Sequence, residues 1–151
     1  MREITVTEAA ISERPVVERL MIPYLRELSA FIVAESSGSD NFPYFDAYWS
    51  EPSRKPYLLY KNGDTAGFAL INRWSPSGHG TDWSMAEFFV RPYYRRKGIG
   101  GAAFREIMRC NPGVWEIPIL AANKPALAFW QVTLRSLCRV TIERIDSSDD
   151  R

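Results

Sequence analysis

The sequence predicts an α/β domain with a mixed, mainly antiparallel sheet, and three observations carry that reading. Short runs rich in β-branched and aromatic residues are interleaved with stretches whose apolar residues recur every three or four positions. Asn62-Gly63 divides two strand-like runs, and this is the dipeptide favoured where both residues of a hairpin turn need positive φ. Toward the end, strand-like and helix-like segments alternate one for one, the pattern of crossover connections. A chain of 151 residues suits one domain, long enough to bury roughly 70% of its unfolded surface. The expected domain is 1–146, with 147–151 a frayed tail.

The elements follow in order. "REITVTE" alternates polar and β-branched residues and predicts a first strand over 2–8. Ser12 is placed to cap a helix whose apolar face is Val17, Leu20, Met21, Tyr24, Leu28 and Phe31. Pro23 falls inside that pattern, so a kink or a break is expected there. Residues 34–56 read as a long loop, Ser/Pro-rich at its ends, with Phe42, Tyr44, Phe45, Tyr48 and Trp49 in its middle. "YLLYKNGDTAGFALINRW" is the hairpin, and "SPSGHGT" a second turn. "DWSMAEFFV" is apolar on both faces, hence central in a sheet. Ile99, Ala103 and Ile107 mark a helix that stops at Asn111-Pro112-Gly113. "VWEIPIL" predicts a strand, "NKPALAFWQVTLRSL" a helix capped by Asn123, and "RVTIERI" a closing strand.

Composition narrows the function. The formal net charge is +1, so no broad field draws in nucleic acid or an anionic membrane. Cys110 and Cys138 are the only cysteines, have no metal or redox spacing, and read as buried free thiols. No apolar run approaches a membrane span and the start lacks a signal-peptide core, so the expected setting is reducing and cytoplasmic. His79, the single histidine, sits in a Gly/Ser-rich turn, which disfavours histidine-centred chemistry. A homodimer is left open.

"VRPYYRRKGIGG" is then the informative stretch: Arg95, Arg96 and Lys97 run into Gly98, Gly100 and Gly101 between a strand and a helix. Helix N-termini offer unpaired amides and a partial positive charge, and glycines let an anion approach them closely. The plain alternative is a solvated basic turn whose glycines serve packing. "GIGGAA" also satisfies G-x-G-x-x-A, and Glu116 follows eighteen residues after Gly98, near the spacing of a ribose-binding acid. Against a dinucleotide site, the basic turn is too long and lies too late in the chain. A Walker loop is excluded because no Lys-Ser/Thr follows the glycines.

"FFVRPYYRRKGIG" resembles the acetyl-CoA-binding motif of the GNAT N-acetyltransferase superfamily: a strand ending in Val, Pro two residues on, then Arg/Gln-x-x-Gly-x-Gly/Ala. Arg95, Gly98 and Gly100 occupy those positions. "NKPALAFW" resembles the second signature of the family, and the element order resembles its fold from about residue 3 to 146. The resemblance implies a GNAT-type sheet splayed between its two central strands, with helices on both faces. It implies that the backbone of Phe88, Phe89 and Val90 holds the pantetheine arm of acetyl-CoA, the cosubstrate. Arg95, Arg96, Lys97, Gly98, Ile99, Gly100 and Gly101 would take the pyrophosphate, and Asn123, Phe129 and Trp130 would flank the thioester.

The implied reaction is acetyl transfer to a primary amine of a small molecule or peptide, by direct attack in a ternary complex. Such an amine, with a pKa of about 10.4, must lose a proton at a cost of roughly 4 kcal/mol at pH 7. Glu87 in "MAEFFV" is the expected base, since burial would raise its pKa toward the useful range. Its alternative role is a structural carboxylate, and Glu116 is a second candidate whose alternative is an exposed edge position. Many family members carry a thiolate-protonating tyrosine where this chain has Trp130, whose indole cannot deliver a proton. Water, Tyr93 or Tyr94, or release of free thiolate could substitute. The aromatic loop is expected to form an acceptor lid, with Asp46 or Glu51 attracting a cationic amine, and otherwise a small hydrophobic cluster. A non-catalytic acyl-CoA-binding module using the same cleft is the other class of function.

Overall fold

The computed structural model describes residues 3–31, 44–137, 141 and 143. Five strands, β1 (Ile4–Glu8), β2 (Arg54–Lys61), β3 (Asp64–Asn72), β4 (Trp83–Val90) and β5 (Trp115–Glu116), form one sheet in sequence order. Neighbours are antiparallel except β4 and β5, which run parallel. Helix α1 (Arg14–Leu28) covers one face, and α2 (Ile99–Cys110) with α3 (Lys124–Arg135) the other. The two-residue period of the strands sorts the core between these faces. Leu58, Phe68, Leu70 and Phe89 meet Val17, Leu20 and Met21 of α1. Tyr57, Leu59, Ala69, Ile71 and Met85 meet Ala103, Phe104 and Ile107 of α2 and Trp130 of α3. Each fully buried Val, Leu, Ile, Met or Phe among them contributes about 1.5–3 kcal/mol of apolar burial. Among the described residues no helix is long and apolar enough to cross a membrane.

Several expectations are revised. Ser12 does not cap α1; a 3-10 turn over Ile11–Glu13 leads in, and the Glu13 carboxylate accepts the Ala10 amide at 2.8 Å. Nor does Pro23 open a second segment, because α1 is one helix with Pro23 inside it. The carbonyl that proline leaves without a helical donor is that of Arg19, an exposed residue where water can serve it. The strand expected over "VWEIPIL" pairs at only two residues. Cys138, Phe42 and the closing strand fall, wholly or in large part, outside the described residues.

Two backbone features shape the sheet around β4. Asn62 (φ 52°) and Gly63 (φ 89°) make the tight turn between β2 and β3. On the next pair, Leu70 faces Glu87 but Ile71 faces Met85, so Ala86 is an extra residue that bulges β4. Trp83 and Met85 therefore face α2, whereas beyond the bulge Phe89 faces α1.

At the far end of α2, buried Asn111 ties helix and sheet together. Its Nδ2 donates to the Ile107 carbonyl (2.8 Å) and to Tyr57 Oη (2.9 Å), and its Oδ1 accepts from Lys55 Nζ (2.7 Å). Asn111→Ala would strip a helix end, a phenol and an ammonium of partners at once. It is expected to cost about 3 kcal/mol, read as a lower urea midpoint with an unchanged slope.

Candidate active site

Of the three glycines in the turn after β4, two are required, each for a different reason. Gly98 begins α2 at φ +80°, and a Cβ there would meet nothing within 4 Å, so only the backbone angle demands glycine. At Gly100 a Cβ would lie 2.9 Å from Cζ of Phe129, so glycine lets α3 pack against α2 beside Val90. Gly101 meets Thr133 only at ordinary contact distance, 3.9 Å. The first bond into the helix is Ala102 N–H to the Gly98 carbonyl at 3.2 Å. The amides of Ile99, Gly100 and Gly101 precede it and have no partner among the described residues. Ile99 itself is core, 1% exposed.

The cations divide. Arg96 (φ 62°) and Lys97 are exposed around this helix start, with Lys97 Nζ 4.8 Å from the centre of the exposed Tyr93 ring. Arg95 is engaged elsewhere: its amide donates to the Pro92 carbonyl (3.1 Å), its Nε to the Val90 carbonyl (2.7 Å) and its Nη2 to Glu27 of α1 (2.9 Å). Its guanidinium lies over Phe89 at 5.6 Å. It braces the turn against α1 instead of facing the free amides.

β4 and β5 pair only at Trp83–Trp115 and Ser84–Glu116. From Met85 to Val90 no described strand continues that ladder, so the sheet parts there. The α2 side of the parting is walled by rings. Phe88 and Phe129 stack at 5.8 Å, and Trp130 packs on Phe88 (5.1 Å), Phe104 (5.1 Å) and Phe129 (4.9 Å). Trp130 is a core residue, 6% exposed. Asn123 caps α3 by accepting the Ala126 amide at 3.2 Å.

Glu87 sits on β4 beside this parting, just past the bulge and on the α1 face. Its Oε1 accepts from Tyr24 Oη at 2.5 Å. Oε2 has no hydrogen-bond partner among the described residues, and it is not sealed away either, since no buried side-chain oxygen there lacks a partner. Burial pushes the carboxyl up to about 7, against the opposing pull of the Tyr24 hydrogen bond. Burial and the neighbouring carboxylate push the Tyr24 phenol well above its usual value, so it stays a donor. Glu116 is the reverse case. Burial alone would raise it, but the Ser77 amide (2.9 Å) and the Ser75 and Ser77 hydroxyls (2.8 and 2.9 Å) together hold it below the usual carboxylate range. It pins a turn and has no basicity to spare.

A family model described as the acetyltransferase (GNAT) family matches residues 21–133. The chain belongs to that family. Solved structures agree in fold at low identity. An aminoglycoside acetyltransferase from an uncultured soil metagenomic sample has a TM-score of 0.68 at 9% identity, over 95% of each chain. A ribosomal-protein-alanine N-acetyltransferase from Brucella melitensis biovar Abortus gives 0.61 at 12% identity over 99% of each chain. A GCN5-related N-acetyltransferase from Ralstonia eutropha gives 0.62 at 17% identity, over 95% of this chain and 97% of that one. No curated protein matches the sequence.

In this GNAT enzyme the two acidic residues expected to draw an amine, Asp46 and Glu51, already have partners. Asp46 accepts from both Nε and Nη2 of Arg14, and Glu51 accepts from Arg54 Nε at 2.9 Å. Arg54 also lies over Tyr44 (4.8 Å) and Tyr48 (5.5 Å), and Phe45 and Tyr48 are buried against α1 and the sheet. Asp46 and Glu51 are thus charge-paired within the chain. A surface cavity of about 440 Å³, lined by Glu8, Tyr48, Trp49, Glu51, Arg54 and Lys55, opens beside this segment, and no residue of β4 lines it. Tyr24 gives little sign in the sequence of being a site residue. On an apolar helix stripe its one signal is a hydroxyl that must find a partner when buried.

A carboxyl whose folded pKa lies above its ordinary value of 4.5 makes stability fall as pH rises through the interval from there to about 7. The fall is on the order of 3 kcal/mol. Glu87→Gln removes this contribution. The variant is therefore expected to outlast the wild-type chain in denaturant at pH 8, with the difference closing toward pH 4. A less stable variant at pH 8 would assign Glu87 a structural role.

Proposed function

We propose that the chain is an acetyl-CoA-dependent N-acetyltransferase that acetylates a primary amine of a small molecule or peptide in the cytoplasm, the amine attacking directly in a ternary complex. The observation that carries this reading is a carboxylate poised near pH 7, with one oxygen open, beside the parted strands. The residues present fit the donor. The amides of Ile99 to Gly101 offer hydrogen bonds to a diphosphate, with Arg96 and Lys97 adding charge. The β5-side edge of β4 beyond Ser84 offers its backbone to the pantetheine arm, with the Val90 carbonyl already taken by Arg95, and Phe88 and Phe129 offer apolar surface. When bound, acetyl-CoA supplies an acyl group activated as a thioester.

The chain's own contribution is proton management. Glu87 Oε2 accepts a proton from the acceptor ammonium, through water where the gap from about 7 to an amine's 10.4 is large. A carboxyl at about 7 is half ionised at neutral pH, whereas an ordinary one would be too weak a base. Cys110, exposed where a buried thiol is expected, lies about 18 Å along α2 from Gly98, which favours direct attack over an acyl relay through that thiol. The second reading, an acyl-CoA-binding module without turnover, is favoured by Trp130, which packs where a proton-donating tyrosine would stand and has none to give.

Thiol release from acetyl-CoA with a panel of amines separates the two readings. The panel includes aminoglycosides and alanine-terminated peptides, the acceptors that neighbouring structures suggest. An enzyme gives amine-dependent thiol; a binder gives saturable CoA affinity and none. Glu87→Gln is expected to lower kcat by about 100-fold or more while leaving the Kd for CoA nearly unchanged. Gly98→Val forces a β-branched residue to φ +80° and is expected to abolish CoA binding by calorimetry. Unchanged affinity would remove the diphosphate site.

A further inference from the structure

We propose that Tyr24 is a positioning residue that holds one oxygen of Glu87 so that the other faces the acceptor amine. The inference rests on the reading of Glu87 as the base and adds the residue that aims it. The contact is built from three directions. α1 carries Tyr24 across the sheet, and its ring is wedged edge-on against Phe68 (5.4 Å) and Phe89 (5.7 Å), so the phenol has little freedom to swing. Its hydroxyl meets Oε1 of Glu87 at 2.5 Å. The Ala86 bulge is the third element, since it turns Glu87 away from the side of Met85 and toward α1.

A carboxylate on a flexible three-bond side chain can take a proton on either oxygen and from many directions. Here Oε1 is occupied and Oε2 is free and reached by solvent, so the base has one working atom and one working direction. A hydrogen bond donated to the ionised carboxylate also favours its ionised form, against the burial that opposes it. Tyr24 therefore offsets part of the burial and keeps the base partly ionised at neutral pH.

The other charged or titratable groups on this face stay in place when the hydroxyl is removed. Tyr48, from the Asp46–Trp49 turn, feels the charge of Glu87 and accepts from Asn72 Nδ2 at 3.0 Å, with Arg54 beside it. The Arg95–Glu27 pair lies over and beside Phe89, 2.9 Å between its atoms. Tyr24→Phe keeps the ring contacts with Phe68 and Phe89, so the fold is expected to survive.

The test uses the full chain labelled with δ-carbon-13 glutamate, titrated by NMR without donor, the Glu87 signal being the one absent in Glu87→Gln. In Tyr24→Phe that signal is expected to titrate at higher pH. The acid limb of kcat/KM should move up with it, so that activity at pH 7 falls roughly 3- to 10-fold and recovers at higher pH, with the KM for acetyl-CoA unchanged. Incorporating 3-fluorotyrosine at position 24, which keeps the donor, should restore both profiles. An unmoved Glu87 titration, with Glu87→Gln still inactive, overturns the role of Tyr24 alone. A moved titration with an unmoved rate profile, alongside an active Glu87→Gln, overturns the Glu87 base and this inference with it.

Discussion

Strand β4 keeps its ladder to β3 from Ser84 to Val90 but gives up β5 after Ser84, and the rest of the site depends on that unequal pairing. Backbone donors and acceptors demand partners. A strand paired on one edge and free on the other, in the middle of a sheet, is a place where an extended ligand can complete the ladder. The Ala86 bulge lies in the same stretch and turns the next residue, Glu87, to the α1 face. The turn after β4 carries the chain around to the start of α2, where three amides have no partner among the described residues. In the proposed function, one strand thus supplies the ligand edge and the base, and leads straight into the helix end that would bind the diphosphate.

The arrangement works against stability where it works for chemistry. Burying Glu87 raises its pKa and weakens the fold at neutral and higher pH, and Tyr24 recovers part of that loss with a single hydrogen bond. Glu116, one strand over, shows what the same side chain becomes when three donors surround it: a low-pKa structural anchor. Depth and donors together separate the two carboxylates: Glu87 is deeply buried with one hydrogen-bond donor, whereas Glu116 is shallow and has three. Trp130 tells a similar story in apolar terms. Its ring completes a cluster with Phe88, Phe104 and Phe129, which strengthens the wall of the parting and leaves that position without an acid.

Much of the fold is readable in the sequence because local rules and tertiary packing agree. Asn62-Gly63 forms the expected hairpin turn, Asn123 caps its helix, and the glycine turn opens α2 as its composition implies. The period-two pattern also puts Glu87 on the face opposite Val90, and the bulge before it leaves that relation intact. Other features need contacts that no spacing encodes. Arg95 looks like a phosphate ligand in a run of cations, but its reach to Glu27, sixty-eight residues earlier, turns it into a brace. Asp46 looks free until Arg14 is seen against it. Pro23 predicts a kink or a break by its own chemistry, and the break does not occur, since α1 runs through it with its apolar face packed on the sheet.

The central claim is that the β4 edge and the α2 amides form one donor site, and a crystal structure with coenzyme A tests it most directly. The pantetheine chain should run alongside Met85 to Val90, with the diphosphate on the amides of Ile99, Gly100 and Gly101. Coenzyme A bound elsewhere, or β5 paired onto β4 beyond Ser84 with the parting closed, would contradict it.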